Sequence, residues 1–276
     1  MAITLMYITN NPTLARIAQD AGVDRVWVDL EYKGKDLRQA GMNTVKSNHV
    51  IEDIKTLRPI LTKSSLMVRV NPLDENSKEE IDAVVNAGAE YIMLPMFRTK
   101  EDVERFVSLV GGRAKTMLLL ETKEAAENIL TYVDFPGIDE IHIGLNDLHL
   151  AYGKTFMFEL LIDGTVDRLA KILKEHGVKF GFGGFARMGY GMLPAEKILV
   201  QHYALSSNMA ILSRGFCDAN RVDNFDAIKK PFIEGVHAIR EKEKEVSTYS
   251  KKQFDENYQE IIKAVKLIVE KMREQK

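Results

Sequence analysis

The chain has 276 residues, 45% of them hydrophobic and 28% charged, with 38 lysines and arginines against 40 aspartates and glutamates for a formal charge of −2. That balance, with no basic block, excludes the phosphate-neutralising surface of a nucleic-acid binder, and no apolar run approaches the roughly 18 residues that span a bilayer. The single cysteine, Cys217, can form neither an internal disulfide nor a thiolate cluster, and the opening residues lack a signal-peptide pattern, so a cytoplasmic protein is expected.

Short aliphatic and β-branched runs recur along the chain, each followed by a stretch of helical period. In order they are Ile3–Ile8, Arg25–Glu31, Leu66–Asn71, Tyr91–Met96, Thr116–Thr122, Glu140–Gly144, Phe180–Gly184 and Met209–Ser213. Helices are expected to begin near Pro12, His49, Ser77, Lys100, Lys123, Gly164, Leu193 and Phe225. Asn11 before Pro12 reads as a cap ahead of a first-turn proline, and Ser77 with Glu80 reads as a capping box. Each strand-to-strand interval is about one βα unit long, which forces parallel strands covered on both faces. Eight such units predict a single (β/α)8 TIM barrel over residues 1–224.

A doubly wound open sheet would place a glycine-rich phosphate turn after the first strand, and Thr9-Asn10-Asn11-Pro12 is not one. The run Phe180-Gly181-Phe182-Gly183-Gly184-Phe185 is read as a tight barrel corner or a close backbone approach to ligand. Residues 225–276 are expected to form C-terminal helices. Their apolar stripe of Ile261, Ile262, Val265, Ile268, Val269 and Met272 would pack on the barrel or on a neighbouring subunit, which points to a homo-oligomer.

In a parallel barrel the active site lies at the C-terminal ends of the strands, so polar residues that close an apolar strand are the ones to inspect. Asp29 and Glu31 close strand 2, Arg69 sits on strand 3, Glu121 closes strand 5 and Asp147 lies just past strand 6. Glu121 and Asp147 are one βα unit apart, on neighbouring strands at similar height. Two such carboxylates either hold an oxygen-preferring cation, Mg²⁺ or Mn²⁺, or serve as loop caps and ion-pair partners. Arg69 is either a substrate-binding group or the ion-pair partner of Asp29 or Glu31. Spacing alone does not name a reaction.

Five segments occur in a fixed order. They are Asp29-Leu30-Glu31 after Val23–Val28, then Val68-Arg69-Val70-Asn71-Pro72, Gly88–Met96, Leu120-Glu121-Thr122, and Pro136–Asp139 leading into Gly144-Leu145-Asn146-Asp147-Leu148. Together they resemble the HpcH/HpaI aldolase and citrate lyase beta family of metal-dependent (β/α)8 enzymes, over roughly residues 10–215. The resemblance implies a divalent cation held by Glu121 and Asp147, with the carboxylate and keto oxygen of pyruvate or its enolate as the other ligands. Backbone N–H groups around Asn146 and Asp147 would hold the substrate carboxylate, Arg69 would stabilise the enolate oxygen, and Asp29 and Glu31 would orient Arg69 and metal-bound water. The expected activity is that of a class II pyruvate aldolase, a lyase that cleaves a small 2-oxo acid to pyruvate and an aldehyde.

The departures from the family are informative. Its aldolases usually follow Asp-x-Glu with a histidine that pairs with an aspartate before the fourth unit's glycine; Tyr32 and Asn86 stand at those positions here. Tyrosine is a poor base near neutral pH. Leu145 replaces a usual proline and His149 a usual serine, so His149 is the candidate replacement base, the alternative being a loop histidine without a role. His142 is expected to face a neighbouring helix. Arg187, in the loop after strand 7, and Arg214, closing strand 8, could each meet a phosphate or second carboxylate, or be solvated. Tyr32–Val50, with Lys33, Lys35 and Arg38, could form a lid. The absent dyad also keeps open a citrate-lyase-beta-like CoA-thioester lyase and a non-catalytic binding or assembly barrel.

Overall fold

A computed structural model of the chain describes residues 2–34, 48–213, 216 and 224–274. Lys35, Arg38, Arg214 and Cys217 lie outside the described residues. The elements run β1 (Thr4–Ile8), α1 (Pro12–Ala21), β2 (Arg25–Asp29), α2 (Ile51–Leu57), β3 (Ser65–Arg69), α3 (Ser77–Asn86), β4 (Tyr91–Leu94), α4 (Lys100–Val110), β5 (Lys115–Leu120) and α5 (Lys123–Glu127). They continue with β6 (Glu140–Ile143), α6 (Leu145–Ala151), α7 (Glu159–Ile162), α8 (Thr165–Glu175), β7 (Lys179–Phe185), α9 (Ala195–Ala204), β8 (Met209–Leu212), α10 (Phe225–Val246) and α11 (Lys251–Glu274). All eight strands pair in parallel and in chain order, and β8 closes on β1. The expected (β/α)8 barrel is the observed fold.

Local chemistry accounts for several helix starts. The Asn11 side chain accepts from the amides of Thr13 and Leu14 at 2.9 and 3.1 Å, and Pro12 opens α1 as expected. The capping box at Ser77 does not form. The Ser77 hydroxyl instead accepts from the Asp74 amide at 2.7 Å, and Glu80 turns back to Asn71, accepting from its Nδ2 at 2.8 Å. The short helices α6 and α7 were not foreseen, because a run of four to seven residues is too brief to display a 3.6-residue period.

The glycine-rich run on β7 is a strand irregularity, with a register shift between Gly181 and Gly184 where β7 pairs with β8. A Cβ at Gly181 would lie 2.3 Å from the Met209 carbonyl oxygen, and one at Gly184 would lie 2.4 Å from that of Ile211. The reading as a close backbone approach is right, but the partner is β8.

Two cores are separated by the sheet. Outward-facing aliphatic residues meet the helices, and Met6, Trp27, Met67, Met93, Met117, Leu119 and Met209 fill the barrel. The interior also holds charge. Arg25 on β2 meets Glu140 on β6 through two contacts, Nη2 to Oε1 at 2.8 Å and Nη1 to Oε2, and its guanidinium lies 3.9 Å from the centroid of the Tyr91 ring. Strands 2 and 6 are not neighbours, so this pair crosses the barrel. His142 is two residues after Glu140 and shares its face. It therefore points into the barrel, with Nε2 3.0 Å from the Gly183 carbonyl oxygen, and does not face a helix as the sequence reading expected. Burial lowers its pKa to about 4, so the ring is neutral.

The last two helices divide the labour differently from the expected boundary at residue 225. α10 packs against α1 and α9 as the barrel's eighth helix. Its Glu243 accepts from the Ile3 amide at 2.6 Å, and Arg240 bonds the Ile3 carbonyl and Asp24, each at 2.8 Å, which ties the base of β1. Only α11 is an addition. Its Ile261, Val265 and Val269 are buried against the chain's own α7 and α9, so this stripe does not require a second subunit. Among the described residues no helix is long and apolar enough to cross a membrane.

The crossing ion pair gives a direct test of interior packing. Arg25→Met leaves Glu140 buried without its partner and is expected to cost about 3–5 kcal/mol in urea unfolding. Arg25→Met combined with Glu140→Leu should recover most of that loss, because the penalty comes from the orphaned charge.

Candidate active site

At the C-terminal mouth of the barrel, Asp29 and Arg69 end adjacent strands in matched register. Their side chains therefore leave the sheet on the same side. Arg69 spans Asp29 with both ends of its fork, Nε to Oδ1 and Nη2 to Oδ2 at 2.8 Å each, and its Nη1 lies 3.2 Å from Glu31 Oε2. Two of the five guanidinium hydrogens bond Asp29, and Glu31 holds the Nη1 end as an ion pair. Trp27 forms the floor, its ring centroid 5.1 Å from the Arg69 carbon. Burial alone would lower the Arg69 pKa, but Asp29, Glu31 and Glu121 outweigh it and hold the group above its ordinary value. The ion-pair reading of Arg69 and the substrate-binding reading are thus compatible, since the pairing aims the remaining hydrogens.

Glu121 follows β5 directly and is 3% exposed. Its Oε1 accepts from the Met96 amide at 3.1 Å. Met96 holds φ +55°, a left-handed conformation that L residues adopt at a cost. Room for the carboxylate comes from Gly144, where a Cβ would lie 2.9 Å from Glu121 Cβ and 3.0 Å from Oε2. Burial pushes the Glu121 carboxyl well above the ordinary glutamate value, the charge of Asp147 pushes it further, and Arg69 opposes both. Asp147 lies in the first turn of α6, half-buried, with Asn146 exposed before it.

The structure therefore brings Asp29, Glu31, Arg69, Glu121 and Asp147 to one cluster. His149 does not join it. Two residues on from Asp147 in a helix is about 200° around the axis, and His149 is buried there with Nδ1 3.1 Å from the Leu145 carbonyl oxygen of its own turn. Tyr32 is 67% exposed, and Asn86 ends α3 at the opposite, N-terminal end of the barrel, so this chain does not assemble them into a replacement dyad. Arg187 packs its stem against Gly235 and its guanidinium 4.8 Å from the Tyr190 ring centroid. Of the lid candidates, Lys33 is paired with Asp74.

Several contributors were not singled out from sequence. Asn71 accepts at Oδ1 from the amides of Tyr32 and Lys33, both at 3.1 Å, and donates to the Leu30 carbonyl at 3.1 Å, so it pins the chain leaving β2. His49 accepts at Nδ1 from the Asp29 amide at 2.9 Å. Met96 and Gly144 act through backbone geometry. The Asn71 signal was present in the Val68–Pro72 segment, whereas nothing in the sequence joins His49 to Asp29.

Glu121 makes the metal-free protein sensitive to pH in a fixed direction. Its folded-state pKa is raised above 4.5, so the folded state keeps a proton that the unfolded chain releases. Stability from this group is full at low pH and is lost as pH rises from about 4.5 through the raised value. Urea unfolding across pH should show this decline in the parent and a flatter profile in Glu121→Gln; identical profiles would contradict the burial argument.

Residues 3–157 match the family model described as HpcH/HpaI aldolase/citrate lyase. No curated protein is significantly similar to the chain in sequence. Among solved structures, an HpcH/HpaI aldolase from Desulfitobacterium hafniense DCB-2 superimposes with a TM-score of 0.61 at 17% identity, over 87% of this chain and 93% of that one. An HpcH/HpaI aldolase/citrate lyase family protein from Burkholderia cenocepacia J2315 gives 0.62 at 14%, over 76% and 88%. The citrate synthase SbnG gives 0.60 at 16%, over 78% and 87%. These structures share the fold, and the family match covers more than half the sequence. The chain belongs to the HpcH/HpaI aldolase/citrate lyase family of aldolases and lyases.

Proposed function

We propose that the protein is a divalent-metal-dependent carbon–carbon lyase, an aldolase that handles a small 2-oxo acid through the enolate of pyruvate and has an aldehyde as its second partner. The observation that supports it most is the convergence of two carboxylates at the mouth. Glu121 and Asp147 are close enough there for the charge of one to raise the pKa of the other, beside the Arg69 guanidinium that Asp29 and Glu31 engage.

The donor set fits an oxygen-preferring ion. Among the described residues no group of three or more His, Cys, Asp and Glu side chains is ready to enclose a metal. Two carboxylates leave most positions open, which suits Mg²⁺ or Mn²⁺, ions that complete their shells with water and substrate. Glu121 and Asp147 would hold the ion. When bound, it supplies Lewis-acid polarisation at the substrate's keto oxygen.

The chain's own groups account for the rest. The first-turn amides of Asn146 and Asp147 have no acceptor within α6 and suit the substrate carboxylate. Arg69 offers hydrogens not bonded to Asp29 to the keto oxygen. During cleavage the hydroxyl proton of the substrate passes to solvent water, the carbon–carbon bond breaks to release the aldehyde, and its electron pair moves onto the keto oxygen. A charge-assisted hydrogen bond strengthens as this charge develops, so Arg69 favours the transition state over the ketone. Asp29 and Glu31 hold the guanidinium in place without meeting the substrate.

Deuterium exchange into the methyl group of pyruvate reports enolisation without knowledge of the aldehyde. Exchange is expected to need Mg²⁺ or Mn²⁺, to fall by roughly 10²–10³ in Arg69→Ala, and to stay near the parental rate in His149→Ala. A metal-loaded parent that does not exchange would overturn the assignment, and cleavage of a CoA thioester by the same preparation would move it to a thioester lyase.

A further inference from the structure

His49 stands where the chain returns to the barrel after β2, two residues before α2. The Asp29 amide donates to its Nδ1 at 2.9 Å. A backbone amide can only donate, so Nδ1 must keep its lone pair, and the neutral ring carries its hydrogen on Nε2. The contact falls where strand pairing runs out. The Thr9 amide donates to the Trp27 carbonyl at 3.1 Å, and past Thr9 the chain turns into α1. The imidazole accepts the hydrogen bond that a longer β1 would have accepted.

The segment that presents the ring is itself anchored. Asp53 Oδ2 accepts from the Val50 amide at 2.8 Å and from Asn10 Nδ2 at 3.0 Å, which ties the start of α2 to the end of β1. The other five histidines lie elsewhere. His142 is inside the barrel, His149 is on the far side of α6, and His176 meets Asp134 at 2.6 Å. His202 is stacked on Phe182, and His237 is exposed on α10.

We propose that His49 is a positioning residue of the candidate site: fixed as the Nε2–H tautomer, it holds the Asp29 main chain and, through the Asp29 carboxylate, the fork of Arg69. This rests on the reading of Arg69 as the group that meets the developing enolate. The same tautomer denies His49 the role of base, because its lone pair is engaged by Asp29 and its other nitrogen is protonated. The missing dyad is therefore not replaced by this ring, which instead stiffens the arginine clamp.

The test uses the full-length protein labelled with ¹⁵N. Long-range ¹H–¹⁵N spectra at neutral pH should show His49 with Nδ1 unprotonated and Nε2 protonated. The Arg69 Nε–H, which donates to Asp29, should exchange with solvent roughly tenfold faster or more in His49→Ala, as expected for loss of one ordering hydrogen bond. In His49→Asn, whose amide oxygen can accept from the Asp29 amide, it should stay close to the parental rate. His202→Ala, destabilising but remote, should leave the Arg69 signal unchanged. Protonation at Nδ1, or an Arg69 signal indifferent to His49→Ala, overturns the proposal; should that variant not fold, the tautomer and His49→Asn still decide. None of these readouts needs a substrate, so a parent that fails to exchange pyruvate would remove the functional assignment while the coupling of His49 to Asp29 and Arg69 is decided separately.

Discussion

Among the described residues, the mouth of the barrel concentrates four carboxylates, Asp29, Glu31, Glu121 and Asp147, around the guanidinium of Arg69. In water such a cluster would be screened. Here Asp29, Glu31 and Glu121 are almost fully enclosed, so each uncompensated charge is expensive and the arrangement persists only if something opposes it. Arg69 satisfies Asp29 and Glu31. The charge of Asp147 and burial both favour the protonated form of Glu121, and the site holds Glu121 beside the Met96 amide, in a space that Gly144 leaves open. That combination is what the proposed site needs to gather a cation and an anionic substrate at one point.

The barrel supplies the precision. Parallel register places Asp29 beside Arg69 without any loop to adjust, and the residues below them are packed rather than hollow. Trp27 lies under the guanidinium, and His142 and the Arg25–Glu140 pair lie deeper in the interior. At the rim, where strand pairing ends, side chains take over from the ladder: His49 on the Asp29 amide, Asn71 on the amides of Tyr32 and Lys33, and Glu80 on Asn71. The site is thus an extension of the sheet, with polar side chains completing the hydrogen bonds that strands no longer supply.

The eight strands and the position of each candidate carboxylate were legible because a buried parallel strand is a short aliphatic run and a polar residue at its end is conspicuous. Arg69 was legible as a charge on an apolar strand, although only coordinates could show that pairing with Asp29 and availability to substrate coexist. His149 misled because the residues after β6 were read as a loop, and α6 turns that ring away from Asp147. His142 misled for another reason: a strand buried on both faces carries no alternation to say which face is the interior. The box at Ser77 failed because Glu80 found a better partner in Asn71, a contact of tertiary origin. His49 left no trace, since twenty residues separate it from Asp29 and only barrel closure brings them together.

The proposed chemistry depends on Glu121 and Asp147 forming the seat of one divalent cation. Calorimetric titration of the metal-free protein with Mn²⁺ and with Mg²⁺ tests this most directly, in the parent and in Glu121→Gln, which keeps the shape of the side chain and removes its charge. One site per chain is expected in the parent, and affinity weakened by roughly tenfold or more in Glu121→Gln with the fold intact. Equal affinity in the two proteins, or no binding in the parent, would contradict it.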